Sequence, residues 1–346
     1  MYSFMNDYSE TAHPNIINAI SRSRSEQNAG YGSDMHCERA KQLLVKCMEN
    51  ASVEIHFLPG GTITNLTMIS HVLRSFHGVI TADTGHINVH ETGAIEATGH
   101  KVIPVETSDG KLTPDGIKPV LEWHANEHYV KPAMVYISNP TELGTVYSKS
   151  ELENLYQYCK EQNLLFFMDG ARLAMALAIP ESDVTLKDLP KLTDAFYIGG
   201  TKAGAMFGEA LVIVKDTLKK DMRYNMKQHG ALLAKGWLLG IQFEELFEDN
   251  LYLKNGEHSN AMADILRKVF RESGFTFLSD SHTNQVFPIL PNYLIDQINQ
   301  NYRIAPERIM DAGHTCVRFC TSWATREEDV LAFVADFKKM LGRISG

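Results

Sequence analysis

The chain has 346 residues, with 33 Lys+Arg against 42 Asp+Glu and a formal net charge of −9. That length suits one large domain plus a smaller one, each with a core of its own, and the acidic balance argues against general affinity for nucleic acid or anionic membranes. The five cysteines (Cys37, Cys47, Cys159, Cys316 and Cys320) are odd in number and form no CxxC pair, which suggests neither a disulfide framework nor a zinc knuckle.

The first residues, MYSFMNDYSE, show no basic segment followed by an apolar run, and no stretch of about twenty apolar residues exists to cross a bilayer. The expectation is a cytoplasmic protein acting on a small molecule. Taken in chain order, seven short apolar runs read as buried strands: 53–59, 78–83, 101–106, 133–140, 164–170, 195–200 and 209–214. They are too short for helices, rich in Val, Ile, Phe and Tyr, and several end at Gly, Pro or Asp. Helical patterns lie between some of them, at 65–76 and at 150–163; the second has Ser150 as its expected cap with Glu153 at the third position. This alternation predicts a three-layer α/β/α domain on a mostly parallel seven-stranded sheet.

From about 225 the pattern turns strongly helical. After NGEHSN (255–260) it changes again: a helix over 260–272, strands FTFLSD and NQVFPIL, a helix near 292–300, strand CVRFCTSW, and a helix at TREE with Thr325 and Glu328 as its capping box. The division expected is a large domain over 1–255, including the N-terminal segment, and a small α+β domain over 256–346.

Four stretches carry chemistry. In LPGGTITN (58–65), Gly60, Gly61 and Thr62 lead from a strand into a helix, where backbone N–H groups can meet an anion; a tight strand-to-helix turn is the plainer alternative. DTGHINVHETGA (83–94) holds His86, His90 and Glu91, which raises a metal site, although the order is not HExxH and a third ligand would have to come from elsewhere. His86 as an aromatic lid over a ring, or as a satisfied buried histidine, is the other reading. FFMDGAR (166–172) ends an apolar strand with Asp169, where an acid can pair with a protonated ring nitrogen, cap the next segment or pair with Arg172. Finally, YIGGTKAGAMFG (197–208) places Lys202 among small apolar residues, 33 positions beyond Asp169, so that both can stand at one edge of the sheet. Desolvation lowers a lysine's pKa and lets it form an imine with an aldehyde.

Anion turn, histidine lid, strand-end acid and lysine come in the order a pyridoxal-phosphate site needs. The chain resembles the threonine aldolases, within the fold type I, aspartate-aminotransferase-like pyridoxal-phosphate enzymes, in the branch with a GGTK lysine motif. The resemblance rests on MNDYSE (5–10), YGSD (31–34), GGTITN (60–65), GH (85–86), MDGAR (168–172), GGTKAG (199–204), KQHGALLAK (227–235) and RFCTSW (318–323). It implies that Lys202 holds pyridoxal phosphate, Asp169 faces the ring nitrogen, Gly61 and Thr62 cradle the phosphate, and His86 stacks on the ring. Arg172 and Arg318 would position the substrate carboxylate, and Lys227 and Lys235 match positions that reach a neighbouring subunit's cofactor in a homodimer or tetramer. Where relatives carry Ser-Asp-Thr near the N-terminus, this chain has Asn6-Asp7-Tyr8-Ser9, and Asn6 or Ser9 would make the substrate contact. Glu142 stands where the other branch has a histidine, so either Glu142 or His86 with a water handles the β-hydroxyl proton. The implied activity is retro-aldol cleavage of a β-hydroxy-α-amino acid, L-threonine or L-allo-threonine giving glycine and acetaldehyde. A β-eliminating lyase, a phenylserine-type aldolase, a metal-dependent lyase and a non-catalytic protein of the same fold are the alternatives.

Overall fold

The structure, a computed structural model, describes residues 1–342. A two-residue strand, β1 (Tyr2–Ser3), comes first. The seven apolar runs then form β2 (Glu54–Leu58), β3 (His77–Ala82), β4 (Lys101–Val105), β5 (Lys131–Ser138), β6 (Leu165–Asp169), β7 (Ala195–Gly199) and β8 (Glu209–Ile213). They make a single sheet in the order β2-β8-β7-β6-β5-β3-β4. Only β8 runs antiparallel to its neighbours, so the expected mostly parallel seven-stranded sheet is present.

The strands are apolar over most of their length because helices cover both faces. Alternate residues serve opposite cores, as the period of two requires. In β6, Phe166 and Met168 join one cluster with Ile55, Val135 and Phe196, while Phe167 joins the other with Tyr136, Tyr197 and Leu211. Helices Gly61–Val72 and Lys149–Glu161 occupy the expected stretches. The cap of the second is Ser148, not Ser150: the Ser148 hydroxyl accepts from Glu151 N–H, and the Glu151 carboxylate accepts from Ser148 N–H at 2.7 Å. Two overlapping Ser-x-x-Glu frames compete here, and Lys111, 2.9 Å from Glu151, favours the earlier one.

The helical region from 225 is broken into Met222–Gln228, Trp237–Glu248 and Leu251–Glu272. Gly230, at φ +76°, and the close approach of Gly236 to the Gly32 backbone interrupt it. The helix expected to start at 260 is thus the second half of a 22-residue one that crosses position 255 and feeds two cores, Tyr252 in the first and Met262 to Phe270 in a third.

Beyond it the strands are short: β9 (Gln285–Val286), β10 (Ile289–Pro291), β11 (Tyr302–Arg303), β12 (Ala305–Ile309) and β13 (His314–Cys320), with helices Asn292–Ile298 and Glu327–Gly342. FTFLSD is not a strand; it contributes one bridge, Phe277 to Pro288. Thr325 is not a helix cap, because its hydroxyl accepts from Ser322 N–H at 2.8 Å and closes its own turn. The N-terminal segment also departs from expectation: β1 pairs with β11, and Phe4 is buried in the third core beside Phe319 and Phe333. Residues 5–10 therefore pass between the small sheets and the large one.

Candidate active site

The carboxyl ends of β2, β3, β5, β6 and β7, together with the first residue of inverted β8, meet at one edge of the large sheet. Asp169 is the last residue of β6, and Lys202 lies three residues past the end of adjacent β7, in a 3₁₀ turn over Thr201–Ala203. The two strand exits nearly touch. A Cβ on Gly170 would stand 2.0 Å from the Tyr197 carbonyl oxygen, and one on Gly199 would stand 2.4 Å from that of Ala171. Only glycine permits this approach.

Among the described residues the Lys202 amine makes no hydrogen bond or ion pair. Burial lowers its pKa, the nearby Arg172 charge adds to this, and Asp7, Asp169 and Glu209 oppose it. Asp169 is 3 % exposed. Its Oδ2 accepts from the Tyr136 hydroxyl at 2.5 Å and from Asn65 Nδ2 at 3.2 Å, and its Oδ1 accepts from Ala171 N–H at 2.9 Å. Burial alone would raise this carboxyl, but His86 and the hydroxyls of Tyr136 and Tyr197 hold it below the ordinary value, so it stays anionic. Asn65 Nδ2 also reaches Glu91 Oε1 at 2.8 Å, and that oxygen is 2.8 Å from His86 Nδ1. Only Oε1 of Glu91 is engaged, by Asn65 and His86, and Oε2 is buried without a hydrogen-bond partner; among the described residues no three His, Cys, Asp or Glu side chains are grouped so as to hold a metal. The Nδ1 proton is directed at Glu91, and His86 Nε2 makes no hydrogen bond among the described residues.

Arg172 does not pair with Asp169. Its Nε and Nη2 donate to the fully buried Asp7 at 2.6 and 3.1 Å, and Asp7 also accepts from Asn284 Nδ2 at 2.8 Å. Despite burial, the charges of Arg172 and Lys202 hold the Asp7 carboxyl below its ordinary value. Arg172 and Lys202 line a cleft of about 250 Å³ together with Arg318, His86, His90 and Glu142. Tyr8 and Gln285 complete its wall. Glu142 Oε1 accepts from Ser138 Oγ at 2.6 Å and from the His86 backbone N–H at 2.9 Å; burial raises its carboxyl above the usual range.

The phosphate-turn candidates sit next to this cleft. Gly61 begins the helix Gly61–Val72, and a Cβ there would be 3.2 Å from the Tyr197 hydroxyl that faces Asp169. Asn6 and Ser9 are not brought to the cleft. Asn6 Oδ1 accepts from Ser9 Oγ and Tyr8 N–H, which closes a local turn, and Tyr8 takes the place at the wall. Lys227 and Lys235 also lie away from it: Lys227 Nζ stands 4.6 Å over the Tyr31 ring, and Lys235 is exposed.

Sequence reasoning missed Asp7, Asn65, Tyr136 and Glu209, and read Glu91 only as a metal ligand. Glu209 is 4 % exposed at the start of β8. Its Oε2 accepts from Gly200 N–H at 3.0 Å and its Oε1 from Thr201 Oγ1 at 2.9 Å. The one available signal was an acid opening an otherwise apolar strand.

A β-eliminating lyase family model matches residues 9–292. A low-specificity L-threonine aldolase of a Pseudomonas species is 30% identical over 335 residues, covering 95% of this chain and 94% of that one. The chain belongs to the β-eliminating lyase family, on its threonine aldolase branch. Among solved structures, a threonine aldolase of Leishmania major is 49% identical, with 98% of this chain and 99% of that chain covered and a TM-score of 0.97. Aspartate aminotransferase of Thermus thermophilus, 14% identical with a TM-score of 0.73 over 98% of this chain and 91% of that one, shares the fold. The aspartate-aminotransferase-like fold expected of the family is therefore present. Among the described residues no helix is long and apolar enough to cross a membrane.

Proposed function

We propose that the chain is a pyridoxal-phosphate-dependent aldehyde-lyase that cleaves β-hydroxy-α-amino acids, L-threonine and L-allo-threonine giving glycine and acetaldehyde. The observation that carries this reading is Lys202: a desolvated amine with no partner among the described residues, one strand from a buried anionic Asp169, in a cleft with two arginines. The residues fit the cofactor. Lys202 would bind it through Nζ, Asp169 would face its ring nitrogen, the helix N-terminus at Gly61 and Thr62 would take its phosphate, and His86 would lie against its ring. When bound, pyridoxal phosphate supplies an electron-withdrawing ring that takes up the electron pair left on Cα as the Cα–Cβ bond breaks.

The remaining chemistry belongs to the chain. Arg318 orients the substrate carboxylate, which fixes the torsion that presents the breaking bond. Arg172 assists through Nη1, which is left free by Asp7 binding at Nε and Nη2. Glu91 holds His86 Nδ1, so Nε2 faces the cleft as the acceptor for the β-hydroxyl proton. Glu142, fixed by Ser138 and the His86 amide, stands on the same side and keeps that part of the cleft polar. Lys227 and Lys235, outside their own cleft, support a site completed by a second copy of the chain in a homo-oligomer.

The test is to add pyridoxal phosphate, record the visible absorbance before and after borohydride, and assay the products from L-threonine. Glycine plus acetaldehyde, with loss of both band and activity in Lys202→Ala, is the expected outcome. Pyruvate plus ammonia would move the reading to β-elimination. A protein that stays colourless would refute it.

A further inference from the structure

The Lys202 turn is closed from the far side by Glu209, which lines no part of the cleft. Between Gly199 and Glu209 the chain reverses, so that β8 runs back beside β7 and Gly199 pairs with Glu209. At the neck of this loop the Glu209 carboxylate binds both residues that precede the lysine: Gly200 through its backbone N–H and Thr201 through its hydroxyl. The Thr201 hydroxyl in turn accepts from Gly208 N–H at 3.0 Å. A buried carboxylate, one hydroxyl and two backbone amides thus fix the turn from which Lys202 projects.

The charges around Lys202 leave Glu209 a second role. The charged groups acting most strongly on the amine are Arg172, Asp7, Asp169 and Glu209, and the His90 ring and the Cys320 thiol also feel its charge. Asp7 is matched by the Arg172 guanidinium at 2.6 Å. Asp169 is held by Tyr136 and Asn65, and in the proposed reaction it faces the cofactor ring. Glu209 has no cation within ion-pair distance among the described residues; both its oxygens bind neutral donors. Its negative charge is the one left to act on Lys202. Burial pushes its carboxyl up, while the Thr201 hydrogen bond and the Lys202 charge favour its charged form.

We propose that Glu209 is a positioning residue for Lys202, fixing its turn through Gly200 and Thr201 and stabilising positive charge at its Nζ. The inference rests on Lys202 being the cofactor-bearing residue, but its test needs neither turnover nor cofactor. In protein stripped of pyridoxal phosphate, the pH dependence of Lys202 labelling by trinitrobenzenesulfonate is followed by peptide mass spectrometry. Glu209→Gln preserves size and an acceptor oxygen and removes the charge, so the labelling midpoint should fall by about one pH unit. Glu209→Asp, which keeps the charge, should restore more than half of that shift. An unchanged midpoint in folded Glu209→Gln overturns the proposal. Should that variant fail to accumulate, Thr201→Val decides: it keeps the charge and cuts a tether, so the parent midpoint with about tenfold faster amide exchange over 200–203 is expected. Unchanged exchange overturns the proposal. Failure of the protein to cleave threonine would bear on the reading of function alone, and an unmoved midpoint on Glu209 alone.

Discussion

Asp7→Asn tests how the N-terminal segment holds the cleft together. In the parent, Asp7 is fully buried and receives three hydrogen bonds, two from the Arg172 guanidinium and one from Asn284. Asparagine keeps one acceptor oxygen but turns an NH₂ towards a group that only donates. It leaves Arg172 charged, largely buried and half-partnered, and breaking a buried pair from one side costs about 3–5 kcal/mol, the lower end applying because Arg172 also reaches the cleft. Denaturant unfolding followed by tryptophan fluorescence should report a loss of that size. The double variant Asp7→Asn/Arg172→Gln, with neither charge, should recover at least about 1 kcal/mol relative to the sum of the single losses, the scale of coupling between residues in contact. Proton linkage gives an independent check. The folded carboxyl lies below its ordinary value of 3.8, so its contribution is complete above that pH and is lost as pH falls towards the folded value. The difference in stability between parent and variant should therefore be constant near neutrality and shrink on acidification below about pH 4. A loss under about 1 kcal/mol, or a double variant no better than additive, would refute the assignment of Asp7–Arg172 as a buried, mutually dependent pair.

Glu91→Gln should lower kcat about 10- to 100-fold by releasing the His86 ring, the scale seen when an orienting partner of a functional histidine is removed; unchanged steady-state kinetics would sink that role. Asn6→Ala and Ser9→Ala should leave the KM for threonine within about twofold, since both side chains close a local turn away from the cleft; a tenfold rise in either would restore the contact expected from the sequence. Gly170→Ala should fail to yield folded protein, because its Cβ would stand 2.0 Å from a backbone oxygen that cannot retreat. Soluble variant with a parent-like thermal midpoint would show that the strand exits can separate.

What the sequence disclosed follows from how each residue earns its position. The large sheet was readable because strands buried on both faces must be apolar along their whole length, and all seven apolar runs became strands. Lys202 and Asp169 were readable because each interrupts or ends such a run. The small sheets were readable only in part: NQVFPIL holds β9 and most of β10 and CVRFCTSW overlaps β13, but β12 went unread, β11 is two residues long, too short to carry a period, and β1 gains its place only by pairing with a segment about 300 residues away. Partnerships were the other blind spot. An aspartate at position 7 looks solvated until the fold brings Arg172 to it, and Glu209 looks like a polar strand end until β8 turns back. The Ser-x-x-Glu frames at 148 and 150 were indistinguishable by spacing, and Lys111, from a different loop, settled which one formed.

The inversion of β8 sets a limit on how this chain can vary. In a sheet with every strand parallel, the segment after β7 would be free to lengthen before the next crossover. Here it is a closed ring: Gly199 faces Glu209 across the ladder, Gly200 is tied to Gly208 as well as to Glu209, and Thr201 bonds at both ends of the return. An inserted or deleted residue between 202 and 208 would slide Glu209 off its register with Gly199 and turn its carboxylate to the opposite face of the sheet. The lysine loop is therefore a segment of fixed length. Loop grafts between relatives that alter substrate range should succeed elsewhere around the cleft, at the Tyr8 wall or the Gln285 strand, and fail here.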